Sequence, residues 1–473
     1  MKGKKITFIG AGSINFTRRL LRDMLSVKEL QNFQIAFHDI DPRNLDAVTR
    51  ICQREIDANG LSIKIEASED RAQALTGSDY VVNAARIGGL EAYESDIVIP
   101  LKYGVDQCVG DTVCVGGIMY GQRGISFMLD VCRDIKRYSK PDCILFNYGN
   151  PNAMLTWACN KYGGVNTYGM CHGVHYSHVL LADIFGLEKD DVDIIAAGIN
   201  HMTWFISVKH KGVQLADQVL EKIQAHPKYS VEEKCRIDVL KRFGYFSTES
   251  NGHLSEYLPW YRSRPDEIEK YIAHQRWILG ETGGYLRYSR ETREWFDREV
   301  PNMLKEKPVK FERDFKDMEH LSFILEGLNT GRVYRGHFNV VNNAVITNLS
   351  PDAIVEVPCY VDYNGISVPR VGDLPIACAA LCESNISVQR LSVEAAVHGD
   401  IDMLRRAMLI DPLTAAVCSP DEVFQVTDEM LIAQEKWLPQ YKKAVAEAKL
   451  RIKKSKADGT YIVSKRCLKG RMK

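Results

Sequence analysis

The chain has 473 residues, of which 45% are hydrophobic and 26% are charged, as in ordinary globular proteins. Its 61 lysines and arginines balance its 61 aspartates and glutamates, so its net charge does not favour nucleic acid or an anionic membrane. No apolar run approaches the roughly 20 residues that a membrane span requires. The thirteen cysteines show no CxxC spacing, which is unremarkable in a reducing compartment. We therefore expect a cytoplasmic protein that contacts neither nucleic acid nor membranes.

Short apolar segments alternate with helical patterns through the first third of the chain. The predicted strands lie at residues 5–9, 34–38, 62–67, 79–85, 143–147 and 167–170. The predicted helices lie at residues 18–25, 45–58, 71–75 and 131–138. This alternation is typical of βαβ units, and it predicts an α/β fold with an N-terminal Rossmann-like, doubly wound parallel sheet.

The pattern changes near residue 194. Strands at 205–209 and 354–357 now mix with helices at 234–243 and 390–409, which predicts a C-terminal α+β portion packed on the first. We therefore expect a dinucleotide-binding domain at 1–195, a catalytic and oligomerisation domain at 196–445, and a basic tail at 446–473. The tail is expected to be solvated or a frayed helix.

A glycine turn follows the first strand. Gly10 permits a tight turn, Gly12 allows a phosphate to approach the backbone, and Ser13 leads into a helix whose N-terminus can face a pyrophosphate. Asn15 replaces the third glycine of the usual pattern, so a plain strand–helix connection is an alternative. Asp39 closes the second strand, where a carboxylate can bind an adenosine ribose and favours NAD over NADP.

Asn83 is a further candidate contact for the cofactor. It lies near the end of the predicted strand at 79–85, which is expected to lie in the same parallel sheet as the glycine turn. In such sheets, ligands bind outside the carboxyl ends of the strands.

Two strand ends carry candidate metal ligands. Cys171 and His172 follow the strand at 167–170, and His201 follows the next apolar segment. Thiolate and imidazole suit a first-row divalent ion, and two ligands leave positions open for water or substrate. The alternative is that the cysteine is a small buried apolar residue and that each histidine is merely a satisfied core or surface residue.

Three further loops place polar groups where a sugar could bind. Asn150 follows a strand, and Asp111 lies in a glycine-containing loop. Tyr257 lies beside an acidic residue and close to a tryptophan. A tyrosine, whose ordinary pKa is near 10, can act as a base only if a metal or cofactor charge lowers its pKa. Each loop is also compatible with no catalytic role.

Together these segments resemble glycoside hydrolase family 4, whose members depend on NAD. The resemblance spans about residues 5–441. It is carried by the ordered motifs FIGAGS, DID, GDT, NYGNP, CHGV, GINH and SEYLPW. It implies NAD and a divalent metal, usually manganese, with Cys171 and His201 as metal ligands. It also implies that Asn150 and Asp111 contact substrate, that Tyr257 is the base and that His172 is the acid.

The reaction implied by this resemblance is an oxidation followed by an elimination. Hydride leaves C3 of the sugar for NAD, Tyr257 removes the C2 proton, and the glycosidic bond breaks. Water then adds, and the hydride is returned. We expect a homodimer or homotetramer acting on small α-glycosides.

The choice of sugar rests on a few positions. The chain resembles the α-galactosidase and α-galacturonidase branch, but its motif reads CHG, and Tyr120 and Met318 replace expected arginines. We expect α-galactosides or α-galacturonides, with α-glucuronides or other α-glycosides as alternatives. A malate- or lactate-type dehydrogenase and a non-catalytic dinucleotide-binding regulator are alternatives of other classes.

Overall fold

The computed structural model describes residues 3–272, 276–313, 319–468 and 471–472. Within these ranges, twelve strands form one sheet. The strands are β1 Lys5–Ile9, β2 Gln34–His38, β3 Ile65–Ser68, β4 Tyr80–Asn83, β5 Ile144–Asn147, β6 Thr167–Gly169, β7 Val192–Ile199, β8 Met202–His210, β9 Val213–Gln214, β10 Tyr334–Val341, β11 Ile354–Asp362 and β12 Gly365–Ser367.

Helices cover this sheet. They are α1 Ile14–Leu25, α2 Pro42–Ala58, α3 Arg71–Leu75, α4 Gly89–Leu101, α5 Cys114–Tyr138, α6 Asn152–Ala158, α7 Gly173–Ile184, α8 Val219–Ala225, α9 Tyr229–Glu232, α10 Lys234–Phe243, α11 Asn251–Leu254, α12 Pro265–Tyr271, α13 Gly284–Met303, α14 His320–Thr330, α15 Ile376–His398, α16 Ile401–Ile410, α17 Pro412–Val417, α18 Pro420–Ala433 and α19 Lys442–Asp458. None of these described helices is long and apolar enough to cross a membrane.

The first six strands are parallel and run in the order β3-β2-β1-β4-β5-β6. Right-handed crossovers that leave β1 in opposite directions put helices on both faces of such a sheet. Every residue of β1 and of β4 is buried, as expected for strands that are covered on both faces. The predicted doubly wound α/β fold is therefore confirmed.

Antiparallel strands extend the sheet beyond β6. The order continues β6-β10-β11-β7-β8-β9, and β7 runs through residue 195, where a domain boundary was predicted. One transverse row of paired residues links Gly169 to Asn339, Asn339 to Glu356 and Glu356 to Gly198. The division into domains at 195 and 445 stays a prediction.

Two helix predictions were wrong. Helix α5 begins at Cys114 and not near residue 131. Glycines make its first half a weak helix former, but they allow close packing. A Cβ on Gly117 would lie only 2.3 Å from the carbonyl carbon of Thr112. The single helix predicted at 390–409 is two helices. Gly399, at φ +64°, ends α15, and the Asp400 side chain caps α16.

The C-terminal segment, predicted to be solvated or a frayed helix, is mostly exposed but is tied to the rest of the protein near its end. Helix α19 continues to Asp458, and the chain then hydrogen-bonds to the body of the protein. The amide of Gln425 donates to the carbonyl of Ile462 (2.8 Å), and the N–H of Leu468 donates to the carbonyl of Leu101 (3.0 Å). These bonds hold the basic segment that follows α19 against the rest of the protein.

Candidate active site

The carboxyl ends of four parallel strands meet at one edge of the sheet. The register pairs Ile9 with Asn83, Asn83 with Asn147, and Asn147 with Gly169. The glycine turn follows Ile9, and Cys171 lies two residues after Gly169. The predicted cofactor and metal residues therefore share one edge, as expected for ligand binding in an open α/β sheet.

The glycine turn is tightly built. Gly10 has a φ of +80°, and a Cβ on it would lie 2.6 Å from the backbone nitrogen of Ala85. A Cβ on Gly12 would lie 2.7 Å from Oδ2 of Asp39. In the described chain, the first turn of α1 carries no acidic residue and the Ser13 side chain makes no capping hydrogen bond. The backbone N–H groups there fit a pyrophosphate.

Asp39 braces this turn from the neighbouring strand. Its Oδ2 accepts a hydrogen bond from the N–H of Gly12 (2.8 Å), and its Oδ1 accepts one from the N–H of Asp41 (2.9 Å). Ile40, which follows Asp39 just beyond the end of β2, is 84% exposed. A carboxylate beside an exposed apolar side chain suits a ribose with its attached base.

Asn83 is buried and makes hydrogen bonds within the protein. Its Nδ2 donates to Oδ1 of Asn147 (2.8 Å), and its Oδ1 accepts from the N–H of Ala85 (3.2 Å). These bonds tie the ends of β4 and β5 together beside the glycine turn. Its predicted contact with the cofactor stays a prediction.

Cys171 and His201, which are far apart in sequence, come together with a third residue. The possible ligand atoms of Cys171, His201 and Glu249 all lie within 4.8 Å of one another. His201 occupies the two-residue turn between β7 and β8, with a φ of +64°. Sγ of Cys171 accepts a hydrogen bond from the N–H of Gly173 (3.3 Å), the first residue of α7. We call these three residues the CHE triad.

The ionisation of the triad suits a divalent cation. Burial, followed by the neighbouring His253, lowers the pKa of His201 to about 4, so the imidazole is neutral near pH 7. Its Nδ1 is buried without a hydrogen-bond partner among the described residues. Burial raises the pKa of the Cys171 thiol well above its usual value, so metal binding must displace its proton. The donor set of one sulfur, one nitrogen and one oxygen fits a first-row divalent metal.

Tyr257 lies beside the triad. It is fully buried, and its ring centre is 6.5 Å from that of His201. Its hydroxyl has no hydrogen-bond partner among the described residues. Burial, and then the nearby carboxylates, raise the pKa of Tyr257 well above its usual value. It can therefore act as a base only with a positive charge nearby.

Asp111 and Asn150, the two predicted sugar contacts, touch each other. Nδ2 of Asn150 lies 3.2 Å from Oδ2 and 3.3 Å from Oδ1 of Asp111. The guanidinium of Arg86 lies 3.4 Å from the same carboxylate and faces the rings of Tyr93 and Tyr120, at 4.6 and 5.3 Å from their centres. Arg86 is partly exposed, so its positive charge is available beside Asp111 and Asn150.

Glu256 holds the loop that carries Asp111. Its Oε1 accepts hydrogen bonds from the N–H groups of Cys108 (2.7 Å), Val109 (3.0 Å) and Gly110 (3.2 Å). Burial raises its pKa to about 7. Glu256 thus positions Asp111, while the adjacent Tyr257 faces the triad.

His172 is oriented by Glu319. Its Nε2 donates a hydrogen bond to Oε2 of Glu319, and the other oxygen of that carboxylate, Oε1, lies 3.3 Å from Nε of Arg19. Burial opposes ionisation of Glu319, but the hydrogen bond and the charges of His172 and Arg19 outweigh it and lower its pKa. A histidine paired with a carboxylate can hold or donate a proton.

Glu249, Glu319, Arg86 and the positioning role of Glu256 were not predicted from the sequence. Glu249 and Glu319 belong to no recognisable spacing, and each reaches the site from a distant loop. Arg86 follows a predicted strand end, which is the signal that could have identified it. Met318 lies outside the described residues.

Two family models cover most of the chain. The model described as "Family 4 glycosyl hydrolase" matches residues 5–187, and that of the C-terminal domain of family 4 glycosyl hydrolases matches residues 196–414. An α-galactosidase of Rhizobium meliloti (strain 1021) is 54% identical over 453 residues, covering 96% of this chain and 92% of that protein. An α-galactosidase of Bacillus subtilis (strain 168) is 34% identical over 440 residues, covering 93% of this chain and 100% of that protein.

A solved structure extends this similarity to three dimensions. It is a 6-phospho-α-glucosidase from gut microorganisms, in complex with NAD and glucose-6-phosphate, with a TM-score of 0.77 and 25% identity. The match covers 93% of this chain and 99% of that one. The chain therefore belongs to glycoside hydrolase family 4 and is an enzyme of that family.

Proposed function

We propose that this enzyme hydrolyses α-galactosides with NAD and a divalent metal, manganese. The observation that carries the proposal is the meeting of the CHE triad, Tyr257 and the glycine turn at one edge of the sheet. The α-galactosidase relatives, at 54% and 34% identity, favour galactosides over galacturonides. The similar solved enzyme that holds NAD supports the choice of cofactor.

The N-terminal sheet would hold the cofactor through backbone groups. The open N-terminus of α1 would hold the pyrophosphate, and Asp39, which braces Gly12, would bind the ribose. Bound NAD supplies reversible acceptance of the hydride from C3 of the sugar. The rigid turn fixes where that transfer takes place.

Tyr257 would remove the proton from C2 of the sugar. Its buried hydroxyl makes no hydrogen bond with the described residues, so none of them competes for its lone pairs. A divalent cation at Cys171 and His201 supplies Lewis-acid polarisation of the sugar oxygens and a positive charge near Tyr257. That charge opposes the effect of burial, which raises the pKa of Tyr257.

His172 would deliver a proton to the departing oxygen. Its ring is about one-third exposed and is oriented by Glu319 on its far nitrogen. A histidine held in this way presents its other nitrogen in one direction.

Arg86, Asp111 and Asn150 would bind the sugar hydroxyls. Tyr120, in α5, stands where we expected an arginine, and Arg86 supplies a guanidinium against its ring from the loop after β4. Sugar hydroxyls both donate and accept hydrogen bonds, so a site of one cation, one carboxylate and one amide suits them.

The proposal includes a cytoplasmic homodimer or homotetramer. All thirteen cysteines are free thiols, which suits a reducing compartment and a thiolate ligand. Light scattering tests the oligomer, and a monomeric mass would contradict it.

The test of the function uses enzyme stripped of NAD and metal. We expect release of nitrophenol from nitrophenyl α-galactoside only when NAD and Mn²⁺ are both added, without net NADH. Faster cleavage of the matching α-galacturonide would change the assigned sugar. Net NADH formation would instead favour a dehydrogenase, and full activity in the stripped enzyme would refute the proposal.

A further inference from the structure

We infer that Glu249 is a third protein ligand of the divalent metal, beside Cys171 and His201, and that Gly173 makes room for it. The inference rests on the proposed metal dependence and deepens it, since the family resemblance assigns only the cysteine and the histidine as ligands. Three observations carry it: the position of the carboxylate, its lack of another partner, and the space beside Gly173.

The position of Glu249 is fixed by β8. The N–H of Thr248 donates to the carbonyl of Thr203 (2.9 Å), and the hydroxyls of these threonines lie 2.8 Å apart. Because Thr203 comes two residues after His201, these bonds hold Oε2 of Glu249 only 3.8 Å from Nε2 of His201. Ligands bound at about 2.0–2.3 Å to one cation lie within roughly 4.6 Å of each other. The triad, within 4.8 Å, is close to that spacing.

The Glu249 carboxylate has no other partner in the described chain. Its side chain is only 17% exposed, and it accepts no hydrogen bond from the residues that the structure describes. A largely buried carboxylate is costly unless it is paired or coordinates a metal. Together with the Cys171 thiolate it would balance the charge of a divalent cation. An oxygen ligand also suits manganese, whereas thiolate alone favours softer metals.

Gly173 leaves the space that Glu249 occupies. A Cβ at Gly173 would lie 2.4 Å from Oε2 of Glu249 and 3.6 Å from Sγ of Cys171. The backbone of Gly173 is not in the left-handed region, so alanine is conformationally allowed there. The glycine is therefore required for space, and any side chain would displace the carboxylate from the triad. This gives a physical role to the glycine of the CHG motif.

The test measures Mn²⁺ affinity in the NAD-bound full-length protein without substrate, from the electron paramagnetic resonance of free Mn²⁺. We expect Glu249→Gln and Gly173→Ala each to weaken Mn²⁺ binding at least about tenfold. The double variant should bind no more weakly than Glu249→Gln, because both changes remove the same ligand. Asp190→Asn, which removes an exposed carboxylate, is the control and should leave Mn²⁺ affinity unchanged.

The outcomes separate this inference from the proposed function. If Glu249→Gln binds Mn²⁺ like the wild type while Cys171→Ser does not, the third ligand is refuted and the function stands. If Cys171→Ser also binds normally, the metal site and the proposed function are both wrong. Unchanged affinity in Gly173→Ala would refute the role of the glycine. That variant keeps the carboxylate, so it tests the inference even if Glu249→Gln folds poorly; retained NAD binding shows that each variant folds.

Discussion

The guanidinium of Arg86 lies 3.4 Å from the carboxylate of Asp111 and faces the ring of Tyr120. We predict that Arg86→Gln lowers kcat/KM for nitrophenyl α-galactoside about 10- to 100-fold, mainly through KM, because hydrogen bonds from a charged group to the sugar are lost. Arg71→Gln is the matched control: Arg71 also pairs with an acid, Asp134, and a ring, Phe127. Equal losses in both variants would contradict a role for Arg86 in sugar binding.

Removing the hydroxyl of Tyr257 tests the base. Tyr257→Phe should lower kcat by about 10²- to 10⁴-fold, the usual contribution of a general base, while NAD and Mn²⁺ binding persist. Tyr261→Phe removes another largely buried hydroxyl, one that donates to Asp238 (2.9 Å), and should keep most of the activity. Near-normal turnover by Tyr257→Phe would show that another group takes the C2 proton.

The free energy of unfolding should depend on pH through the buried carboxyl of Glu256. Burial raises its pKa from 4.5 to about 7 in the folded protein, so the folded state holds this proton more tightly than the unfolded chain. The contribution of this proton to the free energy of unfolding is fully present below about pH 4.5. It is lost as the pH rises to about 7, which lowers that free energy by about 3 kcal/mol. Glu256→Gln keeps an acceptor for the loop N–H groups but cannot ionise.

Denaturant unfolding of both proteins between pH 4 and pH 8 measures this difference. The free energy of unfolding of the wild type should fall relative to that of Glu256→Gln as the pH rises. Parallel curves would mean that the carboxyl ionises in the folded state as easily as in water.

Metal binding should release protons from the enzyme. His201 is neutral near pH 7, with a pKa of about 4, whereas burial keeps the Cys171 thiol protonated. We therefore expect about one proton per Mn²⁺ at pH 7, measured by calorimetry in two buffers of different ionisation enthalpy. Cys171→Ser should abolish this release, and binding without proton release in the wild type would contradict a thiolate ligand.

Most of the N-terminal sheet could be predicted from sequence, because each strand and turn is specified locally. Apolar runs mark β1 and β2, and the glycine turn with Asp39 marks the cofactor edge. Cys171 follows a parallel strand, so its place at this edge could also be expected. His201 follows β7, which is antiparallel to β6, so its meeting with Cys171 could not. The first half of α5 was missed because its glycines serve helix packing and not helix propensity.

The rest of the site depends on long-range contacts that no local pattern encodes. Strands β10 and β11 insert between β6 and β7, although they follow β7 in the sequence by more than a hundred residues. Glu249 reaches the triad through the pairing of Thr248 with Thr203, and Glu319 reaches His172 from a distant loop. Nothing in the local sequence distinguishes Glu249 or Glu319 from other polar residues.

In the proposed reaction, the sugar passes through oxidation at C3 and loss of its C2 proton. The most direct measurement is proton NMR of the galactose formed when the NAD- and Mn²⁺-loaded enzyme hydrolyses an α-galactoside in D₂O. The C2 proton taken by Tyr257 exchanges with solvent before it is replaced, so we predict deuterium at C2 of the product. Full retention of protium at C2 would contradict the elimination mechanism and indicate direct displacement at the glycosidic carbon.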